Sequence, residues 1–206
     1  RYLSLIRKLR PDIIHAHHTG AAFTSIISYF IFKFPFIVSI HSSFIHYKFY
    51  QKMIFGMSSF FAKHVVCNSE NTKHTMPFYI KRSKISIIHN GINFCKMESC
   101  IKDSKSSQIF KIGSVCRMVP AKDLQTLIKA FNNFLLSINE RNIYLVLIGD
   151  GPEKENLKKL VNELDISNNV IFKGKLSPET VYAEMVDLDI FVVSSKFEGF
   201  CISMVE

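Results

Sequence analysis

The residues best suited to chemistry in this chain are two cations that follow a short apolar run. Arg117 and Lys122 stand in the segment RMVPAK, between the run 111–116 and an amphipathic run that begins at Asp123. At the carboxyl end of a parallel strand that leads into a helix, such a pair suits a phosphate or diphosphate. Arg would give a forked contact and Lys a point charge. From spacing alone, the alternative is an ordinary solvated basic loop.

A second candidate is a pair of carboxylates eight positions apart, Glu198 and Glu206. In one helix, at roughly 100° per residue, their side chains would point about 80° apart. We therefore expect Glu198 in the loop after a strand and Glu206 one or two turns inside the following helix. The free amides of that helix would face the same cleft as Glu198. The alternative is two unrelated surface carboxylates.

The eight histidines all precede position 91. His15 and His17 share one face of a predicted strand, an arrangement that could indicate a metal site. No Asp, Glu or Cys nearby completes a ligand set, so we expect no metal there. His41 follows the apolar run 36–40 and is better placed for a cleft, although a single histidine is more often structural.

The elements that position these residues alternate along the whole chain. The sequence predicts strands at 12–16, 36–40, 64–67, 85–88, 111–116, 143–148, 170–172 and 189–193. It predicts helices at 2–9, 21–32, 51–62, from 69 onward, 123–137, 153–164 and 178–186. Apolar strands that alternate with helices indicate parallel sheets covered on both faces, so the predicted class is α/β.

Charge and composition divide the 206 residues into two parts. The first 95 residues hold 12 basic and 2 acidic side chains, against 14 and 15 in the rest. The polar, aperiodic segment 96–108 is interpreted as a linker between domains 1–95 and 109–206. At 48% hydrophobic residues the chain is not of the disordered class. Its basic half favours an anionic partner.

Three further features limit the class of protein. Five cysteines without a C-x-x-C pair favour reduced thiols in a cytosolic protein. Lys33 and Pro35 interrupt the apolar stretch 21–40, which leaves about 12 residues where a membrane span needs about 20. An amphipathic pattern starts at the first residue, Arg1, so we expect an internal fragment of a longer protein.

In order and spacing, the chain resembles the glycosyltransferase family 4 group of retaining, nucleotide-sugar-dependent enzymes, which have the GT-B fold. The segments that carry the resemblance are PDIIHAH at 11–17, SIH at 39–41, IHNGIN at 88–93, RMVPAKD at 117–123, LIGDGP at 147–152, VIFKG at 170–174 and the E-x7-E motif at 198–206. The resemblance implies two Rossmann-like domains with parallel sheets facing across a cleft, both incomplete in this chain.

The reaction that the resemblance implies is transfer of a sugar from a nucleotide-diphosphate donor, with retention of anomeric configuration. The acceptor would be a glycan, a polysaccharide or a lipid-linked molecule. Arg117 and Lys122 match the family's diphosphate-binding pair, and preorganised cations stabilise the charge that grows on the leaving group. Such a pair would make a metal unnecessary, so neither a metal nor another cofactor is expected.

The same resemblance implies roles for the remaining site residues of the second domain. Glu198 would hydrogen-bond the donor sugar or stabilise developing positive charge, and Glu206 would accept hydrogen bonds from the ribose hydroxyls. Backbone amides would face the sugar and the phosphates at Gly199, Phe200, Cys201 and Ile202.

The resemblance also places His41 of the first domain near the donor sugar and the acceptor. The loop 173–176, which contains Gly174, would pass beside the nucleobase. Two departures concern cysteine: Cys116 stands where a glycine usually precedes the Arg, and Cys201 stands where close backbone approach to the sugar favours glycine. The second departure would weaken donor binding.

The residues are also compatible with other functions. A nucleotide-sugar epimerase of the same fold would use the same donor site, and an inactive truncated transferase would keep the motifs. A glycoside hydrolase also uses paired carboxylates, but it does not need two cations at a strand end. A nucleic-acid binder would fit the basic half, but no recognisable module is present and the aromatic residues are mostly Phe in apolar runs.

The expected location follows from the charge of the first domain together with the family resemblance. A basic surface suits an anionic membrane, so we expect a cytoplasmic enzyme that is peripheral on the inner face of the cytoplasmic membrane. The expected partners are the nucleotide sugar, the acceptor and that membrane surface, and no nucleic acid.

Overall fold

The computed structural model of the chain describes residues 2–92, 109–138 and 142–205. The predicted linker at 96–108 and the second glutamate of the E-x7-E motif, Glu206, lie outside these ranges. The chain divides into two compact units, the first being Arg1–Gly91 with Glu198–Cys201 and the second Ile92–Phe197 with Ile202–Glu206.

The first unit contains a parallel four-stranded sheet whose strands lie in chain order. Its strands are β1 (Ile14–Ala16), β2 (Phe36–Ile40), β3 (His64–Cys67) and β4 (Ile85–Ile87). Its helices are α1 (Tyr2–Leu9), α2 (Thr19–Phe32), α3 (Phe49–Phe61) and α4 (Glu70–His74). The predicted alternation of strands and helices in a parallel sheet is confirmed here.

The second unit contains a parallel sheet with the strand order β7-β6-β5-β8. Its strands are β5 (Phe110–Val115), β6 (Ile143–Ile148), β7 (Val170–Gly174) and β8 (Ile190–Phe191). Its helices are α5 (Leu124–Ser137), α6 (Lys154–Glu163), α7 (Pro178–Val186) and α8 (Ile202–Val205). Because the chain leaves β5 on one side and returns to it as β8 on the other, the carboxyl ends of these two strands form a topological switch point. In open α/β sheets this is where ligands bind.

The cores of both units explain the apolar strands. Five of the six residues of β6, IYLVLI, are buried, and four of the five residues of β2, FIVSI. Strands covered on both faces are expected to be nearly continuous apolar runs rather than alternating ones. The bounds of β2 and β6 are the predicted ones for this reason, and those of β3 also agree with the prediction.

Helix ends differ from the predictions where side chains form caps. α2 begins at Thr19, two residues before the predicted start, because the Nδ1 of His18 accepts a hydrogen bond from the amide of Ala21 at 3.2 Å. α7 begins at the predicted Pro178, where the hydroxyl of Ser177 accepts from the amide of Thr180. Capping therefore fixes both starts, and only the serine cap is recognisable in the sequence.

Short elements are where the sequence predictions are less complete. β8 covers two residues instead of the predicted 189–193. Three-residue 3-10 helices, too short to leave a periodic pattern, occur at Phe44–His46, Arg82–Lys84, Pro120–Lys122 and Ser167–Asn169. Across the described ranges, no helix combines the length and the apolar character needed to cross a membrane.

Candidate functional site

The loop that follows β5 presents the two predicted cations. Arg117 is exposed and Lys122 is half-buried, while Met118 between them is fully buried. Lys122 ends a short 3-10 helix, in which the amide of Lys122 donates a hydrogen bond to the carbonyl of Val119 at 2.9 Å. The loop is thus anchored by Met118, and the two cations stand at the edge of the sheet.

Two glycines after β6 allow a second loop to lie against the first. A Cβ on Gly149 would overlap the carbonyl oxygen of Cys116, and one on Gly151 would overlap the carbonyl of Met118. Gly149 also has a φ of 130°, a conformation that side chains disfavour. The backbone of the GDGP segment, residues 149–152, therefore packs directly against the backbone of the loop that contains Arg117 and Lys122.

The segment after β8 is attached to the same loop from the other side. The hydroxyl of Ser194 donates to the carbonyl of Lys122 at 2.8 Å, and the amide of Lys196 donates to the carbonyl of Ala121 at 2.9 Å. The structure therefore joins the loops after β5 and β8 by two hydrogen bonds.

An open cavity of about 430 Å³ lies at the carboxyl ends of β5, β6 and β7. Its volume falls in the range of small-molecule sites. Its lining residues are Val115, Cys116, Arg117, Ile148, Gly149, Asp150, Lys175, Leu176 and Val181. Arg117 lines this cavity and Lys122 does not.

The charges around this cavity are mainly positive. Asp150 accepts hydrogen bonds from Lys154 Nζ at 2.9 Å and from the amide of Gly151 at 2.7 Å. The Lys154 contact first, and then the Gly151 amide, lower the pKa of this carboxyl. Because Asp150 is paired with Lys154, the remaining charged groups of the lining, Arg117 and Lys175, favour an anionic ligand.

Gly174 ends β7 beside the cavity. Its φ of 70° turns the chain, and its carbonyl accepts a hydrogen bond from the amide of Gly149 at 2.9 Å. The turn places the next two residues, Lys175 and Leu176, in the cavity wall. The sequence predicted the cations at 117 and 122 for this site but did not indicate Lys175 or Asp150, which also line the cavity.

In the first unit, three histidine rings stand in a row at the carboxyl ends of β1 and β2. The rings of His15 and His17 are 4.0 Å apart between centroids, and His17 Nδ1 lies 3.2 Å from His41 Nε2. His15 Nε2 also lies 2.8 Å from the hydroxyl of Ser39. Burial first, and then the neighbouring His17 ring, lower the pKa values of His15 and His41. These shifts favour the neutral form of the His15 and His41 rings.

Metal ligation was the other interpretation of these histidines. In the ranges that the structure describes, no three or more His, Cys, Asp and Glu side chains are grouped so that they could hold a metal ion.

Residues that the sequence analysis missed hold the backbone of His41. The side-chain amide of Asn68 donates to the carbonyl of His41 at 3.0 Å, and its oxygen accepts from the hydroxyl of Thr72 at 2.9 Å. Both side chains are buried. Tyr47 forms hydrogen bonds at Ser42 and at the backbone of His41, although burial is the larger influence and raises the pKa of Tyr47. The only sequence signal for this network is a polar Asn directly after a buried strand.

The segment Glu198–Cys201 belongs to the first unit and runs beside His41. A Cβ on Gly199 would overlap the carbonyl oxygen of His41, so the two backbones are in contact. The ring of Phe200 lies 5.7 Å from the ring of His89. The structure thus brings His41 together with the Glu-Gly-Phe segment.

The other predicted site residues near this segment lie just before and within the last helix. Glu198 lies in the loop between β8 and α8, and Cys201 is half-buried immediately before α8, which starts at Ile202. The predicted ribose contact of Glu206 lies outside the described residues.

Comparison with known proteins identifies relatives of both halves. The chain is 29% identical over 195 residues to the uncharacterized glycosyltransferase MJ1069 of Methanocaldococcus jannaschii, an alignment that covers 92% of this chain and 46% of that protein. It is 28% identical over 148 residues to the alpha-monoglucosyldiacylglycerol synthase of Streptococcus pneumoniae, covering 66% of this chain and 33% of that protein. The chain therefore spans half or less of the length of these curated relatives.

A solved structure shares the fold. The crystal structure of Anabaena Alr3699/HepE in complex with UDP and glucose superposes with a TM-score of 0.84 at 20% identity, covering 98% of this chain and 59% of that one. This similarity confirms the predicted GT-B architecture.

Family models match the two halves separately. Residues 1–94 match the model described as Glycosyltransferase Family 4. Residues 101–206, more than half of the chain, match the model described as Glycosyl transferases group 1. With the α/β fold and the strand-end cavity already established, these matches show that the chain belongs to the glycosyl transferases group 1 family.

Proposed function

We propose that the protein containing this chain transfers a sugar from a nucleotide-diphosphate sugar to a hydroxyl of a glycan, polysaccharide or lipid-linked acceptor, with retention of configuration. The observation that carries the proposal is the cavity at the carboxyl ends of β5, β6 and β7, lined by Arg117 and Lys175, with Lys122 in the same loop as Arg117.

The volume and the lining of the cavity support a nucleoside diphosphate as the bound part of the donor. Arg117 would make a forked contact with the diphosphate, with Lys122 adding charge from the same loop. Leu176 and Val181 add apolar lining to the cavity, which suits a base. The similar structure of Anabaena HepE holds UDP and glucose, so a UDP-sugar is the first donor to test.

The reaction would break the bond between the anomeric carbon and the diphosphate oxygen while the acceptor oxygen bonds that carbon. The acceptor proton leaves with the diphosphate or to solvent, and the nucleoside diphosphate carries away the electron pair. Because negative charge grows on the diphosphate, Arg117 and Lys122 would stabilise the transition state more than the ground state. These cations support a reaction without a metal.

The first unit would serve the sugar and the acceptor. Neutral His41 can accept or donate a hydrogen bond at a sugar hydroxyl, and Glu198 would bond the donor sugar or stabilise positive charge at its anomeric carbon. The amides of Gly199, Phe200, Cys201 and Ile202, and the ribose contact of Glu206, stay predictions within this proposal.

We further propose that the enzyme works on the cytoplasmic side of the membrane, as a peripheral protein. The excess of basic residues before position 95 supports this location. The Streptococcus pneumoniae relative is named for a diacylglycerol lipid, which supports a membrane-borne acceptor here.

The test is transfer by the full-length protein, with a panel of nucleotide sugars and added acceptors, with and without EDTA. We expect released nucleoside diphosphate and a product whose anomeric configuration by NMR matches the donor. Lys122→Ala and Glu198→Gln should each lower kcat/KM about a hundredfold or more, because each removes a contact made to developing charge. Lys129→Ala, at an exposed lysine of α5, is the matched control and should be unchanged.

Three outcomes would overturn parts of this proposal. An inverted product would reject retention, and loss of turnover in EDTA would reject metal independence. Epimerised donor without transfer to any acceptor would favour the epimerase instead.

A further inference from the structure

The helix α3 exposes large apolar and aromatic side chains to water. Its exposed residues are Phe49, Tyr50, Met53, Met57 and Phe60, with 80%, 56%, 52%, 48% and 56% of their surface exposed. Their spacing places all five within an arc of about 100° around the helix axis. A helix face in contact with water is normally polar, and this one is entirely apolar or aromatic.

The neighbouring helix α2 extends this apolar surface. Phe23, Phe30 and Ile31 are about half exposed. The ring of Phe30 contacts the ring of Phe61 at 5.0 Å, and the ring of Phe60 contacts Phe61 at 5.2 Å, so the two exposed faces are continuous. We call this surface the α2–α3 face. An apolar surface of this kind on a folded protein indicates a binding partner.

Cations border the α2–α3 face at the carboxyl ends of both helices. Lys33 caps α2 with its Nζ 5.9 Å from the centre of the Phe30 ring, and exposed Lys63 follows α3. Lys84 Nζ donates to the carbonyls of Phe60 and Ala62 at 3.1 Å.

The described residues of the two helices that form this face include no carboxylate. Glu70, on α4, lies within 3.9 Å of Lys73 and 3.8 Å of His74. The charge of the face is therefore positive, which favours an anionic partner.

We propose that the α2–α3 face docks onto the surface of an anionic lipid bilayer. An amphipathic helix pair that lies in the interface plane buries its apolar face at the boundary between headgroups and acyl chains. Phenylalanine rings on α2 and α3 would enter this boundary, and Lys33 and Lys63 would contact lipid phosphates. The inference deepens the proposed function and rests on it, because a membrane-borne acceptor would bring the donor site to the bilayer.

The test is co-sedimentation of the full-length protein with vesicles. Phosphatidylcholine–phosphatidylglycerol vesicles should pellet the wild-type protein, and pure phosphatidylcholine vesicles should pellet much less of it. Phe49→Ser with Phe60→Ser should lower the partition constant about tenfold or more, because two exposed rings no longer become buried in lipid. Leu136→Ser, at a residue that is 78% exposed on α5, is the matched control and should pellet like the wild type.

A second variant tests the charges without removing apolar surface. Lys33→Gln with Lys63→Gln should weaken binding to the anionic vesicles about fivefold per charge, and added salt should reduce the difference from wild type. Lys129→Gln is its control, because that exposed lysine lies on α5 of the other unit.

The outcomes separate this proposal from its competitors. Wild-type protein that stays in the supernatant, or a Phe49/Phe60 variant that pellets like the wild type, overturns it. Sedimentation velocity that shows a wild-type dimer and a monomeric Phe49/Phe60 variant assigns the face to a second copy instead. Transfer to a soluble acceptor is measured in parallel. Its absence with vesicle binding intact rejects the proposed function alone, and its presence without vesicle binding rejects the docking alone.

Discussion

The side-chain amide of Asn68 donates a hydrogen bond to the main-chain carbonyl of His41, 3.0 Å away. The two residues follow the neighbouring strands β3 and β2, and their sequence separation is 27. Asn68 therefore fixes where the chain of His41 leaves the sheet, without contacting the imidazole ring itself.

Replacing Asn68 tests this positioning role. Asn68→Ala leaves the hydroxyl of buried Thr72 and the carbonyl of His41 without their partner, so the free energy of unfolding should fall by about 1–3 kcal/mol. The kcat for sugar transfer should fall, because the main chain at His41 is displaced. The KM for the donor should change little, because the cavity lies in the second unit and is not altered. Urea unfolding and steady-state kinetics measure the two effects.

The matched control is Asn169→Ala. Asn169 makes the same kind of bond, from its amide to the carbonyl of Ile143 at 2.9 Å, in the second unit. It should lower stability and leave kcat unchanged. Equal losses of kcat in both variants would show that Asn68 contributes stability alone.

Replacing Arg117 by Lys tests the forked contact in the cavity. The charge is kept, but a lysine cannot make two parallel hydrogen bonds to one diphosphate, so the affinity for UDP should fall about tenfold. Isothermal titration calorimetry measures it, with Lys158→Arg on the exposed face of α6 as the control. Unchanged affinity for UDP in Arg117→Lys would remove the forked contact from the proposal.

Replacing Gly149 tests the contact between the loops after β5 and β6. Gly149→Ala combines a φ of 130° with an overlap against the carbonyl of Cys116, so unfolding should become easier by about 2 kcal/mol or more. Gly91→Ala is the control, because a Cβ there meets nothing within 4 Å. Thermal and urea unfolding of the two variants should differ clearly, and equal stabilities would contradict the proposed overlap.

Stability should depend on pH through His15 and His41. Their pKa values are lowered in the folded state by burial and by His17, so the unfolded chain takes up protons first as the pH falls. The free energy of unfolding should therefore be unaffected above about pH 7 and should fall as the pH passes below about 6.5. Urea unfolding at several pH values measures this slope.

A variant pair checks the source of that slope. His15→Gln should flatten the pH dependence, whereas His46→Gln, at an exposed histidine outside the row, should keep it. Identical slopes in wild type and His15→Gln would show that other groups cause the effect.

Thiol labelling tests the cavity independently of catalysis. Cys67 is fully buried, and burial raises its pKa to about 11, so it should resist iodoacetamide until the protein unfolds. Cys116 is half-buried in the cavity wall and should be labelled more slowly in the presence of UDP. Cys201 serves as the internal comparison. Mass spectrometry reports each site, and labelling of Cys116 that ignores UDP would place the nucleotide elsewhere.

Much of the fold follows from local patterns. The apolar runs of β2 and β6 define their bounds because strands buried on both faces need such runs, and Ser177 marks the start of α7 through its side-chain cap. The cations at 117 and 122 could be singled out because a helix follows their strand directly.

The remaining features depend on contacts that no local pattern contains. The hydrogen bond from Ser194 to the carbonyl of Lys122 joins residues 72 positions apart, and that from Asn68 to His41 joins two different loops. The two-residue length of β8 is set by its partner β5, since only Ile112 and Gly113 pair with it. The turn at Gly174 places Lys175 in the cavity wall, and the local sequence around Lys175 does not predict this position.

The strand order β7-β6-β5-β8 has a consequence for how the protein folds. β5 pairs with β6 across a short loop and helix, but its pairing of Ile112 with Ile190 must wait until a much longer piece of chain has been synthesised. Pairings between distant residues close slowly. Until β8 arrives, β5 is an open edge and the carbonyl of Lys122 lacks its bond from Ser194. We therefore expect the loop that contains Lys122 to be the last part of the second unit to reach its final structure on the ribosome.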